Sequence, residues 1–248
     1  MNGNALELKK LSRSFGTLDV LRELSLEIKS GEFVAVVGPS GCGKTTLLNL
    51  LSGYDQPSSG VITREGQVRM VYQQDGLFPW LTVAENIALG LRQIKNEMER
   101  TRQINEMVRL IRLEGFERHY PHQLSGGMRQ RVELARALAG EADILLLDEP
   151  FSALDYLTRL RMRQELARIL HERPLTVALV THDIEEAAQL ADRVIVLSER
   201  PAQVRSEFWI EVPRPRDLTH PKVVNAIHRV LAEMGIEKDS EFTLSKTT

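Results

Sequence analysis

The stretch GPSGCGKTT, Gly38 to Thr46, sets the strongest limit on what this chain can fold into. It follows FVAVV, a short unbroken apolar run rich in β-branched residues, and it leads into LLNLLSG, an apolar segment closed by Gly53. An apolar run without polar alternation reads as a strand buried on both faces of a parallel sheet. Strand, glycine-rich turn and helix in that order fit G-x-x-x-x-G-K-[ST] in full, in the context the pattern requires. The glycines let backbone N–H groups converge on phosphate oxygens with no Cβ in the way. Gly38, Pro39, Ser40, Gly41, Cys42, Gly43, Lys44, Thr45 and Thr46 are therefore expected to cradle the phosphates of a nucleotide. Lys44 would bridge the β- and γ-phosphates, Thr45 would ligate Mg²⁺ and Thr46 would donate to the α-phosphate. Cys42 has no histidine near it in sequence and reads as a small loop filler, not a nucleophile.

The same buried-strand texture recurs in VRMVYQ (Val68 to Gln73), ILLLD (Ile144 to Asp148), LTVALV and DRVIVL. Between about Gln74 and Gly140 it disappears, and segments such as EMERTRQINEMVRLIRL carry helical spacing. RLRMRQELARILHE reads as an amphipathic helix ended by Pro174, DIEEAAQLA as a helix between two strands, and PKVVNAIHRVLAEMG as a last amphipathic helix after VPRPRD. The plan is an α/β sheet with a helical segment inserted in its middle. A chain of 248 residues suits one domain, or one with a sub-domain. Lys and Arg number 32 against 34 Asp and Glu, a formal net charge of -2, which argues against a nucleic-acid partner. One cysteine excludes an internal disulfide. The opening MNGNALELKKLSRSFG has no apolar core of the kind a signal peptide needs. No apolar run reaches the roughly 18 residues that a membrane helix takes.

Two further stretches carry chemistry. ILLLDEP ends an apolar strand in adjacent carboxylates, and a parallel strand delivers such residues to the crevice beyond its C-terminal edge. Asp148 would hold the Mg²⁺ shell, and Glu149 would polarise the water that attacks the γ-phosphate. LSGGMRQRVELARAL, from Leu124, is a second glycine turn feeding a helix, and so a second anion site. Ser125 also has the chemistry of a helix N-cap.

The glycine loop, ILLLDEP and LSGG between them resemble one family, the ATP-binding cassette (ABC) ATPases, over roughly residues 5–212. The resemblance implies a P-loop NTPase (RecA-like) α/β core with an N-terminal antiparallel β region and an inserted α-helical sub-domain. The core would be 1–75 and 141–212, the sub-domain 76–140 and a C-terminal helical extension 213–248. It also implies a reason for two cradles. Cassettes of this family pair head to tail, so Ser125, Gly126, Gly127 and Gln130 would face ATP held by a second cassette. By the same resemblance Gln73 is the glutamine that senses Mg²⁺ and the attacking water, Asp155 in SALD reaches across the pair, and His182 in TH orients the water. Phe15 stands where the family stacks an aromatic, usually Tyr, on adenine; a core position is the other reading of Phe15.

A lone cassette without a membrane span resembles importer subunits, which work at the cytoplasmic face of the membrane with separate permease subunits and, indirectly, a solute-binding protein. Leu77, Phe78 and Trp80 around Pro79 form an apolar cluster that suits either a permease docking groove or plain sub-domain core. LFPWLTVAENIALGL, YPHQLSGGMRQRVELARAL and VTHDIEEAAQLADRVIVLS together resemble the nitrate/sulfonate/taurine branch, whose relatives carry bicarbonate, cyanate or pyrimidines. Importers of amino acids or osmolytes, and cassettes serving non-transport complexes, are the alternatives.

Overall fold

A computed structural model of the protein describes residues 3–72, 76–172 and 175–235. Along the chain run β1 (Asn4–Phe15), β2 (Leu18–Lys29), β3 (Phe33–Val37), α1 (Lys44–Ser52), β4 (Ser59–Arg64) and β5 (Val68–Val71). Then come α2 (Val83–Ala88), α3 (Glu97–Leu110) and α4 (Gly126–Ala139), and after them β6 (Ile144–Asp148), α5 (Tyr156–Glu172) and β7 (Thr176–Val180). The described chain closes with α6 (Ile184–Leu190), β8 (Arg193–Leu197), β9 (Val204–Trp209) and α7 (Pro221–Glu233). Strand β5 stops at Val71, short of the run read from the sequence, and Gln73, Pro174 and the tail beyond Gly235 lie outside the described residues.

Six strands form the main sheet in the order β5-β6-β7-β3-β8-β9, parallel except for β9. Every residue of β3, β6, β7 and β8 is buried. Alternate residues serve opposite faces. Val34, Val36, Ile144, Leu146, Ala178 and Ile195 pack with Leu47, Leu48, Leu50 and Leu51 of α1 and with the inner side of a three-stranded antiparallel sheet, β2-β1-β4. Phe33, Ala35, Leu145, Leu147, Val177 and Val194 pack against the helices on the other face. Two apolar layers on one sheet explain why these strands read as continuous runs.

Helix α1 begins at the glycine loop because Gly43, at φ 117°, turns the chain where an L side chain is strained, and a Cβ there would lie 2.7 Å from Val20 Cγ1. Helix α2 opens with a capping box, Thr82 and Glu85 each bonding the other's backbone N–H. The C-terminal arm is fastened by Arg216, which donates to the carbonyls of Val212, Ala188, Ala191 and Ile210, while Arg214 pairs with Asp192 at 3.0 Å. Helix α7 then lays Val223, Ala226 and Val230 into the core.

Leu146 is fully buried in the central layer, whereas Leu157 on α5 is 60% exposed. Leu146→Ala is expected to lower stability by about 2–5 kcal/mol. In a chain of this size that is a fall of several degrees in Tm. Leu157→Ala should stay within about 0.5 kcal/mol of the parent. Paired thermal melts check both.

Candidate nucleotide site

The site forms at the C-terminal edge of the main sheet, where backbone register brings three loops to one level. Asp148 of β6 lies opposite Val180 of β7, and Val36 of β3 lies opposite the same Val180. The ladder continues past the strand ends: Glu149 N donates to Val180 O at 2.9 Å, and Thr181 N donates to Val36 O at 3.3 Å. The glycine loop after β3, the acids after β6 and the Thr181–His182 pair after β7 thus leave the sheet side by side, where α/β sheets bind ligands.

In the glycine loop the Lys44 ammonium is nearly buried and donates to the carbonyls of Gly38 and Pro39 at 2.8 and 2.9 Å. The loop therefore already holds one positive charge at its centre, with the first turn of α1 directed at the same place. Thr45 Oγ1 donates to Asp148 Oδ1 at 3.3 Å. Asp148 is 2% exposed; burial raises its pKa and the charge of Glu149 adds to this, while Thr45 and Lys44 act in the opposite sense. Burial also pushes the Cys42 thiol up, which keeps it a thiol and a poor nucleophile.

Glu149 occupies a left-handed backbone conformation, φ 48°, which is uncommon for a residue with a side chain. Its carbonyl accepts from Gln130 Nε2 at 3.0 Å and from Ser152 Oγ at 2.9 Å, and its Oε1 lies 3.0 Å from His182 Nδ1. The imidazole of His182 is otherwise open to solvent. Gln130, buried on α4, uses its other end to accept from Ala153 N at 3.1 Å, so one amide fastens both sides of the turn after the acids.

Ser125 caps α4 by accepting from Met128 N. Gly127 sits where a Cβ would meet Ala153 O at 3.1 Å, so the start of α4 lies against the same turn. Among the described residues, no hydrogen bond or ion pair joins Ser125, Gly126 or Gly127 to the glycine loop of this chain. Asp155 is exposed and caps α5 through Thr158 N. Phe15 is 48% exposed at the end of β1, with the Arg13 guanidinium 4.3 Å from its ring centre, and so is not a core residue. Gln73 lies outside the described residues.

The family profile for ABC transporters matches residues 21–152. The chain belongs to the ABC transporter family. This ABC cassette is 40% identical over 250 residues to the aliphatic sulfonates import ATP-binding protein SsuB of Bacillus licheniformis, an alignment covering 96% of this chain and 97% of that one. It is 45% identical over 213 residues to the nitrate import ATP-binding protein NrtC of Synechococcus elongatus, covering 81% of this chain and 32% of that longer one. Among solved structures, the dimer of a bacterial ABC transporter cassette matches with a TM-score of 0.76 and 34% identity, over 84% of this chain and 99% of that one. A post-hydrolysis dimer of the same cassette, bound to ADP and phosphate, matches with a TM-score of 0.75 and 33% identity over the same shares.

Sequence reasoning passed over several residues of this region. Arg13 stacks on Phe15 and pairs with Asp55 at 2.8 Å, and Arg200 Nη2 stands 3.4 Å from where a Cβ on Gly41 would be. Arg159, Arg163 and the buried Glu186 lie behind His182. Only Glu186 left a trace in the sequence, three residues after the helix-capping Asp183, in the spacing of a capping box.

The raised pKa of Asp148 has a definite sign. A carboxyl whose folded value exceeds its unfolded one favours the fold at low pH and opposes it as pH rises through the raised value. Without nucleotide at pH 7.5, Asp148→Asn is expected to melt above the parent, and the gap should close as pH falls toward about 4, the ordinary carboxylate range. A lower Tm for the variant at neutral pH would contradict this electrostatic account.

Proposed function

We propose that this ABC cassette is the ATP-hydrolysing subunit of an importer for a small oxyanion-type solute of the nitrate or sulfonate kind, driving uptake through a separate permease. The observation that carries the reading is the convergence of Lys44, Thr45–Asp148 and Glu149–His182 on one sheet edge. The importers named for aliphatic sulfonates and nitrate among its relatives support the solute class.

ATP enters with its phosphates over the glycine loop, where they replace the carbonyls of Gly38 and Pro39 as acceptors for Lys44 and take N–H bonds from the loop. Phe15 offers adenine a ring face, with Arg13 against the ring. Thr45 and Asp148 fit Mg²⁺, since they present two hard oxygens 3.3 Å apart, one of them on a buried carboxyl that a cation would relieve. Bound there, Mg²⁺ would neutralise charge on the β- and γ-phosphate oxygens. Gln73 is the proposed further contact to it. Glu149 accepts a proton from water as that water attacks the γ-phosphorus in line, the bond to the ADP oxygen breaks, and His182 keeps Glu149 and the water aligned.

The first turn of α4 is the proposed contact to a second cassette. Gly126 and Gly127 N–H and the Ser125 hydroxyl would bind the γ-phosphate held by the partner, with Asp155 beside the same interface. ATP then joins two chains and its hydrolysis releases them. On the helical sub-domain, 76–140, Leu77 is core while Phe78 and Trp80 stand exposed with ring centres 5.3 Å apart. Phe78 also borders a groove of about 330 Å³ walled by Arg69, Arg92 and Arg136. This groove is the proposed seat for a cytoplasmic segment of the permease, which places the cassette on the cytoplasmic face of the membrane.

Glu149→Gln is expected to lower kcat by about 10²–10⁴-fold, the range for loss of a general base. With Mg-ATP it should elute as a dimer in size exclusion; a variant that stays monomeric in excess ATP would sink the two-cassette site. Pull-down from gently solubilised native membranes should recover a multi-span permease, and Arg136→Glu should lose it while keeping ATP hydrolysis. Recovery of soluble partners alone would overturn the importer reading and leave the ATPase reading standing.

A further inference from the structure

His182 is held to Glu149 by one contact on an imidazole that is 65% exposed, so its placement depends on what holds the backbone behind it. Three hydrogen bonds close a ring around that backbone. Thr181 Oγ1 donates to Glu186 Oε2 at 2.7 Å, Glu186 N donates to Asp183 Oδ1 at 3.0 Å, and Asp183 N donates to Thr181 Oγ1 at 2.9 Å. His182 is the residue the ring encloses. The last of these bonds is a hydroxyl turn spanning His182, and the second is the N-cap of α6. Asp183 is fixed further by Arg159 at 3.2 Å and by Arg163, which is itself buried.

Glu186 is the unexpected member. It is 3% exposed, and its Oε1 has no hydrogen-bond partner among the described residues. A carboxyl in that position costs free energy that a leucine would not, and burial pushes its pKa up to about 7. The same carboxyl borders a cavity of about 10 Å³ directly behind the dyad, which Glu149, His182, Thr181 and Arg159 also line. The volume suits one water at most.

We propose that Glu186 is a positioning residue for ATP hydrolysis, holding His182 against Glu149 by accepting the Thr181 hydroxyl. The inference rests on the roles given to Glu149 and His182 under the proposed function. Glu186 does not meet nucleotide. It fixes the hydroxyl, the hydroxyl fixes the turn, and the turn leaves His182 only its side-chain rotations. A helix built solely for packing would need no acceptor there.

The test is steady-state ATPase kinetics with melting temperatures on E186L, E186Q and T181V, each alone and combined with H182A. E186L removes the acceptor and keeps the bulk; T181V removes the donor and serves equally if E186L does not fold. Both are expected to lower kcat by between about tenfold and a hundredfold, the scale of a small misplacement at a reacting centre. KM for ATP should be unchanged. E186Q, which retains an acceptor, should recover most of the rate. In the H182A background none of the three should cost anything more, because residues acting through one another are not additive. The inference is overturned if folded E186L or T181V turns over at the parent rate, if E186Q is as slow as E186L, or if the losses persist undiminished in H182A. If H182A and E149Q themselves leave kcat untouched, it is the assignment of the site that fails.

Discussion

The structure depends first on the in-register pairing of four strands buried on both faces. Backbone hydrogen bonds along β6, β7, β3 and β8 set the levels at which the chain leaves the sheet, and a shift of one residue in any pair would exchange the two faces of that strand. Because each face packs against its own apolar layer, such a slip would drive residues shaped for α1 into the layer of α4 and α5. Packing therefore fixes register, and register delivers Gly38, Asp148 and Thr181 to one edge. The chemistry of the site is a consequence of core geometry before any side chain of the site is considered.

Electrostatics at that edge are arranged before a ligand arrives. Lys44 is held by two loop carbonyls, and Asp148 is held beside Thr45 with its charge poorly solvated. The Asp148 carboxylate is kept in a less favourable setting than water would give it. On the proposed function a triphosphate would supply an anion for the ammonium and a divalent cation would supply a counter-charge for the carboxyl. Binding energy can thus be concentrated at the reacting end of the nucleotide. The strained backbone of Glu149 belongs with this pattern, since hydrogen bonds from its N–H to Val180 and to its carbonyl oxygen from Gln130 and from the Ser152 hydroxyl and N–H hold an unfavourable φ in place.

Those elements were legible in the sequence whose physics is local. FVAVV, ILLLD, TVALV and RVIVL are strands because both their faces are buried, and GPSGCG is a loop because Gly41 and Gly43 adopt conformations other residues avoid. The long hairpin of β1 and β2 came only through family resemblance. Its register shifts several times, and Lys10 and Glu23 take positive φ, so the two-residue alternation that would mark a strand is repeatedly broken. The burial of Gln130, expected to face the ATP of a second cassette, and of Glu186, with only its helix-start spacing to mark it, was illegible for another reason. Each is a polar residue on a helix that looks solvated in one dimension; the partners of Gln130, Glu149 and Ala153, are distant in sequence, and Glu186 turns inward to the Thr181 hydroxyl five residues before it. Phe15 was left between two readings, and its exposure removes the core one.

The double grip of Gln130 has a consequence for how a cassette can carry a signal. Its amide holds Glu149 and Ala153 from within α4, and the first turn of that helix packs on the same stretch through Gly127. The helix is thereby joined to the turn after the acids about one turn from its tip. A push on the tip would pass to the turn through this buried amide, both ends of which are engaged. Wiring of this kind reports contact as displacement. With the roles proposed for Glu149 and the first turn of α4, it would let a chain sense what lies against its outer surface at the place where its own bond breaking is timed.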